Sequence, residues 1–204
     1  WVALDTEGTG LDPYGERGVD RETAPARPYG FSFCNADGEC AWVRWQVNPI
    51  TREVVIDKRT FAIIQKILAN RDLEKRLFNA PYDIRMLKKT GFKVRDYLIG
   101  IKVIKSDEMN LQLKRLSKKY LGIDDADEKL LGKSVNSEHS RIRSLARKNP
   151  KSVYAKYKLA DPKADMFYAE PKLLRKYAMQ DALRTATLSL AVNDELDQDK
   201  ERGG

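Results

Sequence analysis

A chain of 204 residues that places acidic motifs near both ends and in its middle is constrained by one requirement above all others. If those motifs serve one site, the fold must carry three distant stretches to the same place. The motifs are Asp5-Thr6-Glu7, Asn79-Ala80-Pro81-Tyr82-Asp83 and Tyr177-Ala178-Met179-Gln180-Asp181. Four carboxylates that converge repel one another and need cations. Two hard divalent ions held between them would clamp the attacking and leaving oxygens of a phosphodiester.

Other metal chemistry is nearly excluded by composition. Cys34 and Cys40 are the only cysteines, outside any C-x-x-C pair, and His139 is the only histidine. Zinc sites of the usual Cys/His type lack their ligands, and Ser-His-Asp or Cys-His catalysis would have to rest on His139 alone. A metal here is held by oxygen, which favours Mg²⁺ or Mn²⁺ over zinc.

Local patterning gives an ordered set of elements. Val2-Ala3-Leu4 is a short apolar run ending in Asp5, the pattern of a buried strand that delivers its last residues to a site. Gly8 to Gly30, rich in Gly, Pro and charge, reads as a long loop. Phe31 to Cys34 and Ala41 to Val47 read as strands joined at Asn35-Ala36-Asp37-Gly38, because Asp-Gly between alternating segments signals a hairpin. The first three strands are thus predicted to form an antiparallel meander. Phe61, Ile64, Ile67 and Leu68 recur at helical spacing between Asp57 and Asn70. Lys75 to Phe78 reads as a short strand, and Pro81 opens a helix that stops at Gly91. Further helices are predicted over Tyr97 to Lys105, Met109 to Tyr120, parts of 138 to 148, and Pro171 to about Leu196. Strands first and helices after give an α/β class in a single domain over 1–204.

Spacing alone does not select the acids. Asp-x-Glu recurs at Asp20, Asp37 and Asp72, and Tyr-x-x-x-Asp recurs at Tyr120 and Tyr157. Context separates the copies. Asp5 and Glu7 end an apolar strand, whose period of two points both side chains to one face; the alternative is a pair of strand-end charges facing water. Asn79 and Asp83 flank a helix start, where capping and the helix dipole account for them equally well. Tyr177 and Asp181 share a face of an unbroken helical stretch. The alternative for Asp181 is an ion pair with Arg175 or Arg184.

The chain carries 38 Lys and Arg against 30 Asp and Glu, a formal charge of +8. Between Lys133 and Lys158 eight basic residues face one acid, Glu138, and Lys114, Arg115, Lys118 and Lys119 form a second cluster. Such a distribution favours phosphate binding over a merely solvated surface.

Taken together, Leu4 to Asp12, Phe78 to Asp83 and Lys176 to Asp181 resemble the three exonuclease motifs of the DEDD superfamily. The tyrosine at 177, with no histidine five residues before Asp181, resembles the tyrosine-bearing branch found in the proofreading 3′-to-5′ exonuclease domains of family A DNA polymerases. Leu111 to Gly122 also resembles the helix between the second and third motifs. The resemblance implies a ribonuclease H-like fold with a mixed central sheet flanked by helices. It implies two divalent cations, Mg²⁺ or Mn²⁺: Asp5, Glu7 and Asp181 on one, Asp5 bridging to the second, and Asp83 reaching that second ion directly or through water. Tyr177 would orient the attacking water, with nucleoside 5′-monophosphates as products. Gly8, Thr9, Leu11 and Asn79 match positions expected to touch the terminal nucleotide, while Tyr82 is either a stacking partner or a packed helix-start aromatic.

The expected substrate is single-stranded DNA or a frayed primer 3′ end, with RNA as a further candidate, and the expected partner is a polymerase domain in the same longer chain. The sequence shows no signal peptide and no membrane-spanning run, so an intracellular and not a secreted protein is expected, in the cytoplasm or nucleoid, or else in an organelle or a phage-infected host. Two alternatives stand beside this reading: a free-standing exoribonuclease similar to ribonuclease D, and an inactive nucleic-acid-binding module. The loop between Asp12 and Phe31 and the basic segment from Ile123 to Ala169 are both longer than the family pattern.

Overall fold

The computed structural model describes residues 1–10, 26–78, 80–93, 98–100, 113–124 and 126–202. Strands β1 (Val2–Gly8), β2 (Pro28–Asn35) and β3 (Cys40–Arg44) come first. A small ribbon of β4 (Gln46–Val47) and β5 (Val54–Val55) follows, then α1 (Lys58–Ala69), β6 (Lys75–Leu77), α2 (Ala80–Lys89) and β7 (Leu98–Gly100). Among the described residues three further α-helices follow, α3 (Leu113–Leu121), α4 (Ala126–Lys148) and α5 (Pro171–Arg202), with short 3-10 helices at Val153–Lys156 and Met166–Tyr168 between the last two. The main sheet runs β3-β2-β1-β6-β7.

β1, β2 and β3 form the expected antiparallel meander, with the hairpin at Asn35 to Gly38 where Gly38 takes φ +81°. Cys34 and Cys40 are register partners across this hairpin and are disulfide-bonded. β6 and β7 add in parallel to β1, so the sheet is mixed as predicted. β1 extends to Gly8, so Asp5 and Glu7 lie within the strand rather than at its end. Continued pairing with Ser32 and Gly30 carries it there, and a bulge follows between Glu7 and Gly8.

One prediction fails at the far edge. Of the stretch from Tyr97 to Lys105 predicted as a helix, Leu98–Gly100 instead pairs in parallel with β6, and the rest lies outside the described residues. A short apolar run is ambiguous by periodicity alone, and the unpaired backbone edge of β6 settles it as a strand. The Ile123 to Ala169 segment contains more helix than predicted: α4 runs from Ala126, so the expected 138 to 148 stretch is its C-terminal part.

Each face of the sheet is covered by different chemistry. Leu4, Phe31, Phe33 and Trp45 pack with Ile64 and Leu68 of α1 and Leu87 of α2. Phe61 and Phe92 stack at 4.2 Å there, and Trp45 Nε1 donates to Thr60 Oγ1 at 2.7 Å. On the opposite face Ala3 and Cys34 meet Ala182 and Ala186 of α5. Small residues on both sides let the helix backbone lie close to the sheet, which places the helix's functional residues within reach of β1. α4 is joined through a third cluster in which Leu131 and Val135 pack with Tyr29, Phe167 and Leu174.

The small-residue seam generates a test. Ala186→Leu adds volume where the side chain is 3% exposed and should destabilise the fold by about 1–3 kcal/mol, read as a lower urea midpoint. An unchanged midpoint would show that helix and sheet are not in close contact.

Candidate active site

Alternation along β1 divides its side chains between the two faces. Ala3 belongs to the α5 side and Leu4 to the α1 and α2 side, so Asp5 and Glu7 point toward α5 and Thr6 toward α2. Asp5, Glu7, Tyr177 and Asp181 line one cleft of about 380 Å³, together with Thr6, Gly8, Gly10, Tyr82, Lys163 and Met166. Three motifs separated by most of the chain therefore meet, as the sequence required.

Asp83 takes a different position from the other three acids. Its Oδ1 accepts the Thr6 backbone N–H at 3.1 Å and the Thr6 hydroxyl at 2.6 Å. The carboxylate is buried behind the strand, yet close enough to Asp5 to raise that residue's pKa. Thr6 thus ties α2 to β1 and fixes Asp83 beside the cleft.

Asp181 carries the ion pair that was its alternative reading, and a second cation besides. Arg184 Nη1 donates to its Oδ1 at 2.6 Å, and Lys114 Nζ lies 3.5 Å from its Oδ2. Arg184 is itself fixed by two bonds to Asp127, at 2.8 and 2.9 Å, and one to the Asp124 carbonyl at 2.7 Å. Lys114 also lies 3.1 Å from Glu128 Oε2 and donates to Tyr177 Oη at 2.8 Å. Sequence spacing exposes Arg184, three residues after Asp181; the roles of Lys114, Asp127 and Thr6 depend on tertiary contacts that no local pattern carries. Arg175, the other candidate, turns instead to Met179 Sδ at 3.4 Å.

Burial and like charge act together on these acids. Desolvation pushes Glu7 up to about 8, with Asp181 adding to the rise and Lys114 opposing it. Asp83 is pushed by burial to about 7, against the lowering effect of the Thr6 hydrogen bonds. Asp5 is raised well above the carboxylate range by burial first and then by Glu7, Asp83 and Asp181. Asp181 is raised by burial despite Lys114 and Arg184. Burial, with Asp181 next, also raises the Tyr177 phenol, which stays protonated through the neutral range.

The donor set fits hard divalent cations, since its oxygens ionise together only when a positive charge joins them. Among the described residues, no three Asp, Glu, His or Cys side chains surround a common point as coordination requires. The cause is visible: Asp181 is turned to Lys114 and Arg184, and Asp83 to Thr6. Cation binding therefore entails rotation of carboxylates that protein groups now hold.

The nucleotide-contact positions divide. Gly8 and Gly10 line the cleft, and a Cβ on Gly8 would come within 2.1 Å of Met86 Cε and 3.1 Å of Tyr82 Oη. Thr9 is 2% exposed. Its N–H donates to the Arg27 carbonyl, its carbonyl accepts from Arg52 and its hydroxyl accepts from the Arg27 N–H. Tyr82 lines the cleft while its hydroxyl donates to the Gly10 carbonyl at 2.9 Å, so it is tied to the end of β1 and borders the cleft at once. Leu11 and Asn79 lie outside the described residues. His139 stands apart from the cleft, buried on α4 with Nε2 2.9 Å from Asp165 Oδ2.

Comparison with solved structures follows from this geometry. Brucella melitensis NrnC with bound Mg²⁺ superposes with a TM-score of 0.56 and 15% identity, over 98% of this chain and 74% of that one. The same fold is ribonuclease H-like. Brucella melitensis NrnC bound to pGG gives 0.56 and 16% over the same shares. A structure described as the apo form of the nuclease gives 0.55 and 18%, again over 98% and 74%. No family model matches this chain, and no curated protein matches it by sequence.

The raised carboxylates make stability depend on pH. A folded-state pKa above the ordinary one contributes stability that is complete below the ordinary value and lost as pH rises through the folded one. For Glu7 that window runs from 4.5 to about 8 and for Asp83 from 3.8 to about 7. In EDTA the melting temperature should therefore fall between pH 5 and 8, and Mn²⁺ should restore it at pH 8. Glu7→Gln should flatten the profile; an unchanged slope in that variant would refute the assignment.

Proposed function

We propose that this chain is a metal-dependent 3′-to-5′ exonuclease that removes nucleoside 5′-monophosphates from single-stranded 3′ ends. The observation that carries the reading is the meeting of Asp5 and Glu7 from β1 with Tyr177 and Asp181 from α5 in one cleft of a ribonuclease H-like fold. Mg²⁺ in one NrnC structure supports the choice of cation, and pGG, an oligonucleotide, in another supports a nucleic-acid substrate.

Asp5, Glu7 and Asp181 would hold one ion, and Asp5 with Asp83 the second. Such ions supply a water of lowered pKa and positive charge for the leaving oxygen. The protein's own groups do the rest. Tyr177 is held by Lys114, whose ammonium donates to the phenol oxygen at 2.8 Å. That leaves the phenol hydrogen directed elsewhere, toward a water or phosphate oxygen in the cleft. Because the phenol keeps its proton, it orients rather than deprotonates. Tyr82 and Met166 give the cleft an apolar wall against which a terminal base can lie, and Lys163 adds a positive charge.

The similarity to NrnC supports a free-standing nuclease acting on short oligonucleotides, RNA included, over a polymerase-linked role. The proofreading reading keeps two observations, Tyr177 in the third motif and the run Glu7-Gly8-Thr9-Gly10-Leu11-Asp12, which resembles the first motif of polymerase exonuclease domains. The two readings separate on substrate: a proofreading domain should prefer DNA 3′ ends, the other RNA oligonucleotides.

Incubating 5′-labelled DNA and RNA oligonucleotides with Mg²⁺ or Mn²⁺ should give a ladder shortened from the 3′ end. Asp5→Ala should abolish it with the circular dichroism spectrum unchanged, and Tyr177→Phe should slow it roughly a hundredfold. Absence of a ladder with either metal on either substrate would remove the enzyme reading.

A further inference from the structure

Nearly all of the chain's net positive charge lies in one segment. Residues 133–163 hold nine Lys or Arg against Glu138 and Asp161, an excess of seven where the whole chain has +8. The remaining 173 residues are close to neutral. The one acid on the C-terminal half of α4, Glu138, is occupied by Arg141 through bonds of 2.6 and 2.7 Å. Arg143, Arg147 and Lys148 are exposed on α4 and, with Ser140 and Ser144, line a hollow of about 370 Å³. Among the described residues no carboxylate forms an ion pair with these three. Cations in a helix's last turn are favoured by its dipole, yet the run continues beyond the helix through exposed Lys151, Lys156 and Lys158.

Aromatic rings are set into the same surface. Tyr154 and Tyr157, both half-buried, lie 5.3 Å apart, and the Arg141 guanidinium stands 5.5 Å over Tyr154. Cations interleaved with partly exposed rings suit a single strand, whose phosphates meet the charges and whose bases stack without regard to sequence. The surface is also rigidly joined to the cleft. Met166 lines the cleft, and its neighbour Asp165 is gripped by Arg52 at 2.5 Å and lies 2.9 Å from His139 of α4. Lys163, at the end of the basic run, lines the cleft itself.

We propose that the C-terminal half of α4 and the 151–163 segment form a binding track for single-stranded nucleic acid, carrying the strand behind the terminal nucleotide. The direction of the strand rests on the exonuclease reading; the track itself does not.

The test uses the 204-residue chain with Asp5→Ala, in EDTA, and fluorescence anisotropy with dT20 and dT3 across a range of NaCl. The 20-mer should bind at least tenfold tighter than the trimer. Arg143→Glu, Arg147→Glu and Lys148→Glu together should lower 20-mer affinity at least tenfold and reduce the salt slope by about two, leaving the trimer unchanged. The milder Arg143→Gln, Arg147→Gln and Lys148→Gln set should act in the same direction if charge reversal disturbs folding. Tyr157→Ala should weaken the 20-mer several-fold at an unchanged slope. Equal 20-mer binding in both triple variants would overturn the track, as would equal loss on the trimer, or competition by polyglutamate as strong as by dT20. Cleavage plays no part in the measurement, so a chain that binds along this surface but never cuts loses only the exonuclease reading.

Discussion

Mutual repulsion among buried carboxylates is the constraint on which this structure turns. β1 carries Asp5 and Glu7 toward α5, α5 returns Asp181, and α2 brings Asp83 to the strand's other side. Desolvation disfavours each charge and the neighbours add to the effect. The fold tolerates the cluster because Lys114, Arg184 and the donors of Thr6 surround it. Those same groups hold the acids away from a coordinating arrangement, so a divalent ion entering the cleft would compete with Lys114, Arg184 and Thr6 for the same oxygens.

The architecture serves that cluster. A meander extended by two parallel strands gives β1 a partner on each side, which fixes the direction of Asp5 and Glu7. The alanine seam brings α5 close enough for Tyr177 and Asp181 to reach the same cleft. Arg52, at a φ of 64° unusual for a side chain of its size, ties the Thr9 carbonyl to Ala164 and Asp165. It thus links the end of β1 to the segment that supplies Lys163 and Met166.

How far the sequence could be read depended on the range of the interactions involved. The meander, the helix of Phe61 to Leu68 and the shared face of Tyr177 and Asp181 follow from periods of 2 and 3.6 residues, and they appear in the structure. The strand at Leu98–Gly100 did not follow, because its partner is β6, more than twenty residues earlier. Lys114 meets Tyr177 across 63 positions and Arg52 meets Thr9 across 43; neither pairing leaves a local trace. Asp83 was legible as an acid at a helix start, whereas its attachment to Thr6 required the packing of α2 on β1.

The order of the motifs along the chain has a consequence for synthesis. Polypeptides emerge N-terminus first, and units begin to fold as they appear. β1 and α2 are made before α5, so Asp5, Glu7 and Asp83 meet first, before the burial and the charge that α5 adds. Asp181 and its partner Arg184 arrive together, three residues apart, on the last helix. Asp181 thus reaches the cluster already accompanied by its counter-charge, and the cleft is complete only once α5 has been made.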